Sequence, residues 1–355
     1  MPVKVERADR LAKLVSEAGL ERLLVTNLVN VRYLTGFTGT NGACICGPRD
    51  RAFLTDFRYI ERAASEIGGW ELAAVSGEWT TGLAERLSGR CGFEDQHLSV
   101  KAHRELSEHA PEGAELVPAG GLPEKLRRIK DDDELKAISE AAKLADEVYE
   151  WAIEQGLDEM KEIEVARAAQ ARIRELGGEP AFPPIVAAGP NGAMPHAEPG
   201  ERQIEAGDMV VFDMGAQLDG YCSDCTRTFA VGKPRGETRE VYELVREAQA
   251  TALKAVAGGK GTREVDAAAR KLIADANHGD HFGHGLGHGV GLEVHEEPRL
   301  SQRSEDTLES GDVVTIEPGV YVPAQFGVRI EDLVVVTEDG HQNLSGLPKE
   351  LRVVD

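Results

Sequence analysis

The feature that most constrains the fold of this 355-residue chain is an internal repeat in its second half. Residues 207–213 read GDMVVFD and residues 311–317 read GDVVTIE, an offset of 104 (311 minus 207). A shorter match between residues 161–164 and 263–266 precedes them at an offset of 102 (263 minus 161). Both copies run from a helix to an apolar strand that ends in a carboxylate, which predicts a duplicated half-domain.

The first of these strands leads into a hairpin that would place two carboxylates together. Asp219-Gly220 is a strong two-residue turn sequence, and it would pair Asp213 with Thr226. Because side chains alternate faces along a strand, Asp213, Asp224 and Thr226 would share one face if residues 221–229 form the second strand. Two carboxylates in apolar surroundings repel each other unless they are neutralised. The spacing therefore predicts room for metal ions between them.

The second copy repeats this arrangement. Glu317 ends the apolar strand, and Glu331 is expected on the next strand, residues 328–336. The two glutamates are 14 positions apart (331 minus 317), against 11 for the two aspartates (224 minus 213). Because the halves are duplicated, we expect Asp213 and Glu317 at equivalent positions that face one another.

A histidine- and glycine-rich segment lies between the two carboxylate pairs. Five of the ten histidines lie between His278 and His295, and glycine occupies every second position from Gly283 to Gly291. A phosphate-binding loop and a zincin helix are disfavoured because neither G-x-G-x-x-G, the P-loop pattern nor His-Glu-x-x-His is present. The segment is therefore interpreted as metal-binding or substrate-binding histidines on a strand thinned by glycine. The residues alone leave the division between these two roles open.

The first part of the chain predicts a separate and smaller α/β domain. A helical pattern covers residues 6–19, and short strands are expected at residues 23–25, 43–46 and 52–55. A Gly- and Pro-containing linker at residues 119–123 predicts domains at 1–122 and 123–355. A long amphipathic helix then follows, whose apolar stripe comprises Leu135, Ile138, Ala142, Ala145, Tyr149 and Ala152.

Composition and charge limit the classes of binding partner and the cellular compartment that we expect for this protein. A formal net charge of −22 makes nucleic acid and anionic membranes poor partners. No secretory signal is evident at the start, and no apolar run approaches the ~20 residues of a membrane span. Five cysteines are typical of reduced thiols in a cytoplasm. Cys222 and Cys225 are interpreted as two small buried residues in preference to a redox pair.

Seven short stretches of the second half occur in a specific order: Pro195-His196-Ala197, Asp213-Met214-Gly215, Asp224-Cys225-Thr226-Arg227, His284-Gly285-Leu286-Gly287-His288-Gly289, Val294-His295-Glu296, Glu317-Pro318-Gly319 and Arg329-Ile330-Glu331-Asp332. Together they resemble the proline-specific and methionine aminopeptidase family with the pita-bread fold. The N-terminal stretches VRYLTGFTG and LTDFRY resemble a domain of prolidases and aminopeptidase P that methionine aminopeptidases lack. The resemblance implies a mixed α/β (α+β) fold: a pita-bread catalytic domain with an internal pseudo-twofold repeat, behind a smaller creatinase/prolidase-like domain.

The resemblance also implies a role for each matching residue. His196, His284 and His295 would line the reaction centre, and Thr226 would support the aspartates. Arg299 would hold the substrate carboxylate with its planar fork, and Phe182 and Val294 are candidate walls of a proline pocket. The implied metal ligands are Asp213, Asp224, His288, Glu317 and Glu331, of which Asp224 and Glu331 would bridge two ions.

The predicted function is that of a dinuclear-metal peptidase that cleaves Xaa-Pro bonds. Two divalent ions per subunit, Mn²⁺ or Co²⁺ before Zn²⁺, would share a hydroxide that attacks the carbonyl before proline. His295 would stabilise the oxyanion, and Glu317 would carry the proton to the leaving nitrogen.

Dipeptides are the preferred substrates in this prediction. The start of the chain and the cysteine content predict a cytoplasmic protein, and the resemblance implies a homodimer. One alternative is an aminopeptidase P that acts on longer Xaa-Pro peptides. A creatinase-like amidinohydrolase would dispense with the metals, which the intact ligand residues argue against. A non-catalytic binding module on the same fold is more remote.

Overall fold

The computed structural model of the protein describes residues 5–234 and 236–354. The chain divides into two compact units, Met1–Arg127 and Arg128–Asp355. The boundary predicted from the sequence, between Leu122 and Pro123, lies five residues before this division (127 minus 122), at the start of a helix.

The first unit is built on a mixed six-stranded sheet with the order β4-β3-β2-β1-β5-β6. The central pairs β1–β2 and β2–β3 are antiparallel, and the outer pairs are parallel. Its strands are β1 (Arg22–Val25), β2 (Ala43–Cys46), β3 (Arg51–Thr55), β4 (Glu71–Ala74), β5 (Arg90–Phe93) and β6 (Glu115–Pro118). Its helices are α1 (Val5–Glu17), α2 (Leu28–Thr35), α3 (Ile60–Glu66), α4 (Trp79–Ala84), α5 (Val100–His109) and α6 (Leu122–Arg128), the last of which ends one residue past the division.

Local sequence explains why the first helix and first three strands were predicted correctly. Helix α1 ends before Gly19, whose φ of +69° few other residues adopt. Strand β2 places four consecutive residues in the core, and Leu24, Ile45 and Leu54 belong to one buried cluster. A helix pattern that ends at glycine and short apolar runs bounded by turns are signals that the chain carries locally.

The second unit carries long helices on its sheets. Helix α7 begins with a capping box, in which the Asp131 side chain accepts hydrogen bonds from the backbone N–H groups of Asp133 and Glu134, and the Glu134 carboxylate accepts one from the Asp131 N–H. Most of its predicted apolar stripe is buried, including Tyr149. The helices are α7 (Asp132–Gln155), α8 (Glu162–Glu175), α9 (Gly236–Ala255) and α10 (Thr262–Asp275), with 3₁₀ turns at Gly189–Ala193 and Gly279–His281.

The strands of the second unit form several small sheets. Two of these carry the repeated elements, with the orders β20-β12-β9-β8 and β14-β13-β15-β18-β19. The strands of the first half are β7 (Glu179–Pro180), β8 (Ile185–Ala188), β9 (Met209–Met214), β10 (Ala216–Leu218), β11 (Tyr221–Cys222) and β12 (Cys225–Val231). Those of the second half are β13 (Gly287–Gly289), β14 (Glu296–Leu300), β15 (Val313–Ile316), β16 (Gly319–Val322), β17 (Phe326–Arg329), β18 (Asp332–Val336) and β19 (His341–Asn343), followed by β20 (Val353–Val354).

The predicted internal duplication is visible in these elements. Strands β8, β9 and β12 pair in antiparallel order, and β13, β15 and β18 do the same. Helices α8 and α10 both have 14 residues. Each half has its own buried cluster, one around Tyr149 and Phe212 and the other around Tyr242 and Ile316. The mixed α/β fold with two related halves is therefore confirmed.

The predicted hairpin register is confirmed as well. Asp219 and Gly220 both have positive φ, +48° and +83°, as the favoured hairpin turns require. Leu218 pairs with Tyr221, and Asp213 pairs with Thr226.

Two predicted strands are wrong in their extent. The strand expected at residues 221–229 is interrupted between β11 and β12, and Asp224 lies in the gap. The strand expected at 328–336 is interrupted between β17 and β18, and Glu331 lies in that gap. The reason is that β11 and β12 belong to different sheets, as do β17 and β18. The chain changes pairing partners at both carboxylates.

The histidine-rich segment forms less strand than predicted, since only β13 is extended within it. Cys222 and Cys225 are buried thiols, as expected. In the portion of the chain that is described, none of the helices combines the length and apolar character of a membrane span.

We expect Gly287→Ala to destabilise the second unit. A Cβ at Gly287 would lie 1.9 Å from the backbone oxygen of Thr315 on the neighbouring strand, whereas a Cβ at Gly283 would meet nothing within 4 Å. Overpacking of this kind costs about 1–3 kcal/mol, so the urea midpoint of Gly287→Ala should fall clearly below that of wild type. Gly283→Ala is the matched control and should unfold at the wild-type midpoint. Equal midpoints for the two variants would contradict the close approach of β13 and β15.

Candidate metal centre and catalytic pocket

A cavity of about 550 Å³ in the second unit collects the predicted carboxylates. Asp213 enters it from β9, whereas Asp224 and Glu331 enter from the two points where the chain changes sheets. Glu317 follows the last residue of β15, and His288 is the central residue of β13. The structure therefore brings together all five residues predicted to bind metal.

Three of the five are spaced as the ligands of one cation would be. One atom from each of Asp224, His288 and Glu331 lies within 4.8 Å of the other two. The His288 Nε2 is 3.7 Å from Asp224 Oδ2 and 3.4 Å from Glu317 Oε1. Carboxylates with one imidazole make an oxygen-rich donor set that suits hard or borderline divalent ions.

The carboxylates of the cavity are buried, and neighbouring protein groups do not offset the free-energy cost of removing their negative charges from water. Desolvation, followed by the charges of neighbouring carboxylates, raises the pKa of both Asp224 and Glu331 well above the ordinary range. Burial also raises the pKa of Glu317, to about 7. Within the described residues, Asp213 Oδ1 and Glu331 Oε1 are buried without a hydrogen-bond partner. Such groups indicate that a cation completes the site.

His288 has the protonation state that a metal ligand needs. Burial lowers its pKa to about 3, so the ring is neutral. Its Nδ1 lies 3.1 Å from the Gly289 carbonyl, and because a carbonyl can only accept, Nδ1 carries the hydrogen. The Nε2 lone pair is therefore directed at the carboxylates. A backbone carbonyl commonly fixes the tautomer of a ligating histidine in this way.

Two residues of the site, Arg329 and Tyr321, were not predicted. The buried Arg329 guanidinium donates to Asp213 Oδ2 at 2.6 Å, to the Tyr321 hydroxyl at 2.9 Å and to Thr226 Oγ1 at 3.0 Å. Burial raises the pKa of Asp213, and Arg329 opposes that rise. Arg329 lies in a stretch that matched the family, but nothing in the sequence assigned it a partner. Tyr321 gave no signal at all.

Thr226 contacts carboxylates from both halves of the unit. Its hydroxyl donates to Glu331 Oε2 at 2.7 Å, and its side-chain hydrogen bond with Asp213 opposes the rise in the pKa of that carboxyl. The backbone N–H of Glu331 also donates to the Thr226 carbonyl at 3.1 Å. Thr226 therefore ties the two halves of the unit together beside the carboxylates.

The three histidines expected at the reaction centre all line the cavity but differ in freedom. His284 Nδ1 donates to the Gly285 carbonyl at 2.7 Å, and its Nε2 lies 2.9 Å from the Tyr321 hydroxyl. Burial, with the charge of Arg329, lowers the pKa of His284 to about 4. His196 and His295 are exposed to the cavity, and the His295 ring stands 4.4 Å from the His288 ring.

The substrate-binding candidates also lie in this cavity. Phe182 and Val294 belong to its apolar lining, together with Pro183, Pro184 and Ile185. Arg299 projects from β14 into the same lining. The cavity thus combines an apolar wall, a guanidinium and a carboxylate cluster, as a site for a small anionic peptide would.

Comparison with known proteins identifies the family to which the chain belongs. A sequence profile of metallopeptidase family M24 matches residues 136–338, and one of the creatinase/prolidase N-terminal domain matches residues 7–129. The first covers more than half of the chain. The chain belongs to metallopeptidase family M24. Membership implies a divalent metal, and the buried carboxylate–histidine cluster is the place in the described structure that fits one.

Relatives in family M24 match the chain over nearly its whole length. The chain is 38% identical over 353 residues to the Xaa-Pro dipeptidase of Pyrococcus furiosus, which covers 98% of this chain and 99% of that protein. The structure of an Xaa-Pro dipeptidase from Bacillus anthracis has a TM-score of 0.95 at 39% identity, with 99% of each chain covered. The X-Pro aminopeptidase from Thermotoga maritima has a TM-score of 0.90 at 32% identity, with coverage of 98% of this chain and 100% of that one.

We expect Asp224→Asn to abolish stabilisation by metal. In wild type, a divalent ion at one hundred times its dissociation constant adds about 2.7 kcal/mol to the free energy of unfolding, so Mn²⁺ or Co²⁺ should raise the Tm of chelator-treated protein. The variant should show no rise. Its metal-free form should unfold no earlier than metal-free wild type, because a buried carboxylate is replaced by a neutral amide.

Asp339→Asn provides the matched control, since Asp339 is an exposed carboxylate on the connection from β18 to β19. It should show the same metal-induced rise in Tm as wild type. A wild-type rise in Asp224→Asn would remove Asp224 from the metal centre.

Proposed function

We propose that this M24 metallopeptidase hydrolyses the bond before proline, with Xaa-Pro dipeptides as its preferred substrates. The observation that carries the proposal is the buried Asp224–His288–Glu331 cluster in one cavity with Arg299. A relative named Xaa-Pro dipeptidase and a solved structure of that name match nearly the whole chain, which supports the same activity here.

In this proposal two divalent ions, Mn²⁺ or Co²⁺ before Zn²⁺, are bound per subunit. Asp213, Asp224, His288, Glu317 and Glu331 would hold them, as an oxygen-rich donor set with one imidazole. The buried oxygens of Asp213 and Glu331 that lack partners support this assignment, as does the neutral His288 ring. Bound divalent ions supply Lewis acidity and lower the pKa of water towards neutrality.

Arg299 and the apolar wall bind and orient the dipeptide. The Arg299 side chain has no hydrogen-bond or ion-pair partner among the residues that the structure describes, although it lines a cavity rich in carboxylates. Its planar fork matches the free carboxylate of a C-terminal proline. Phe182 and Val294 accept the proline ring, which has no N–H to satisfy. Holding both ends of a short substrate fixes the scissile bond at the carboxylates.

Protons are handled by groups that face the cavity. Glu317, which lines the same cavity, would take a proton and pass it to the proline nitrogen. His295 and His196, exposed to the cavity, donate hydrogen bonds to the carbonyl oxygen as it gains charge. His284 stays neutral and fixed, because both of its nitrogens are already engaged.

An aminopeptidase that removes the first residue of longer Xaa-Pro peptides is the second candidate. The likeness to the X-Pro aminopeptidase from Thermotoga maritima favours it. The two candidate activities differ in the group that follows proline in the substrate. If Arg299 binds the free carboxylate of proline, proline is the last residue of the substrate and no third residue follows it.

We expect purified protein with Mn²⁺ or Co²⁺ to release proline from Met-Pro and to leave Met-Pro-Gly largely intact. A chelator should abolish the activity, and restored metal should recover it. Preferential release of methionine from the tripeptide would establish the aminopeptidase instead. Cleavage of neither peptide by protein with metal demonstrably bound would favour a non-catalytic binding module.

We expect Arg299→Met to raise the KM for Met-Pro by roughly 10- to 100-fold, the equivalent of one charge-assisted hydrogen bond of about 1.5–3 kcal/mol. Met-Pro-amide, which lacks the carboxylate, should be cleaved equally by wild type and variant. The control is Arg303→Met, an exposed arginine four positions away, which should match wild type on both substrates. An equal rise in the KM for the dipeptide and for its amide would show that Arg299 does not bind the substrate carboxylate.

A homodimer in a cytoplasm completes the proposal. The five buried cysteine thiols are typical of a reducing compartment. The net charge of −22 disfavours nucleic acid and anionic membranes as partners. Light scattering on a sizing column would distinguish a dimer from the 38.3 kDa monomer.

A further inference from the structure

The segment of residues 282–286 carries His284 between two glycines. A Cβ at Gly283 would meet nothing within 4 Å, so packing does not hold the backbone there. Glycine also gives such a segment more conformational freedom than any other residue would. The position of His284 therefore depends on the hydrogen bonds of its own ring to Gly285 and Tyr321 and on contacts made by its neighbours.

Those contacts come from a buried ion pair on α10. Asp266 is fully buried, and the side chain of Arg270, one turn later, is 15% exposed. The guanidinium binds the carboxylate through two parallel hydrogen bonds, Nε to Oδ2 and Nη2 to Oδ1, both at 2.8 Å. This geometry fixes the plane and the direction of the guanidinium.

The Asp266–Arg270 pair forms hydrogen bonds with the backbone before, at and after His284. Arg270 Nη1 donates to the Phe282 carbonyl at 2.8 Å, and Nη2 donates to the His284 carbonyl at 2.7 Å. Asp266 Oδ1 accepts from the Leu286 N–H at 3.1 Å. Three backbone groups within five residues are thus held by one ion pair.

The same guanidinium also fixes the ring that supports His284. It lies over the Phe282 ring, 4.0 Å from the centroid. The Phe282 ring stands edge-on to the His284 ring at 5.1 Å. Backbone and side-chain contacts therefore lead from Arg270 to the imidazole by two routes.

We propose that the Asp266–Arg270 pair is a positioning device that holds the His284 imidazole in the cavity. The pair itself does not line the cavity, so its effect on the reaction is exerted through His284. The effect on catalysis rests on the proposed function, whereas the positioning of the ring does not. A lysine at position 270 could keep the ion pair, but a single ammonium cannot reproduce the fork that reaches Asp266 and two carbonyls at once.

The first test compares Arg270→Lys with wild type on Met-Pro. A misplaced active-site group can cost on the order of 100-fold in rate, so kcat should fall at least about 10-fold while bound metal stays at the wild-type level. Lys271→Ala and Asp275→Ala are matched controls, since Lys271 and Asp275 form an exposed ion pair with the same i,i+4 spacing on the same helix. Both should keep wild-type kcat and KM.

A double-mutant cycle separates positioning from general loss of structure. If Arg270 acts through His284, Arg270→Lys should lower kcat in the wild-type background and change it less than twofold in the His284→Ala background. Independent effects would multiply instead. A full multiplicative loss would overturn the proposal.

The decisive readout does not need activity. Histidine ¹⁵N spectra of metal-free protein, with the His284 signals identified by their absence in His284→Ala, report the tautomer and surroundings of that ring. Arg270→Lys should shift or broaden the His284 signals, whereas the control variants should leave them in place. Unchanged His284 signals in a folded Arg270→Lys protein would overturn the proposal even if Met-Pro is a substrate. Shifted signals in a protein that does not cleave Met-Pro would keep the positioning role and reject the proposed function.

Discussion

The burial of four carboxylates around one cavity is the constraint on which the rest of the second unit depends. An ionised carboxylate removed from water costs several kcal/mol unless charges and hydrogen bonds compensate it. Arg329 supplies one positive charge, through its bond to Asp213, and Thr226 supplies a hydrogen bond to Glu331. These contacts leave oxygen atoms of Asp213 and Glu331 without partners among the described residues. The fold therefore retains unsatisfied negative charge, which a metallopeptidase of family M24 can use to hold divalent ions.

The duplication explains how so much charge reaches one place. In each half, one carboxylate stands at or just after the end of a central strand, and the other lies where the chain changes sheets. A residue at such a crossing is released from the strand ladder, so its side chain can turn towards the cavity. The hydrogen bond from the Glu331 N–H to the Thr226 carbonyl then joins the two crossings.

Prediction from the sequence succeeded where the signal was local. The Asp219-Gly220 turn fixed the pairing of Asp213 with Thr226, because two positive φ values are a property of those residues themselves. Prediction failed for the strand through Glu331, because β17 and β18 take their partners from different sheets. A sequence of alternating apolar residues is the same whether the extended segment pairs with one neighbouring strand throughout or changes to a strand of another sheet.

The sequence by itself determined the chemical groups of the site, their order along the chain and the local elements that carry them. Carboxylates after apolar strands, a glycine-thinned histidine segment and an arginine nearby were sufficient to predict a metal site and a family resemblance. Only the tertiary structure decided the partners of those groups. Arg329 meets Asp213 across 116 residues, and Tyr321 meets His284 across 37. Hydrogen bonds at such separations depend on how sheets and helices pack, and no local pattern of residues encodes them.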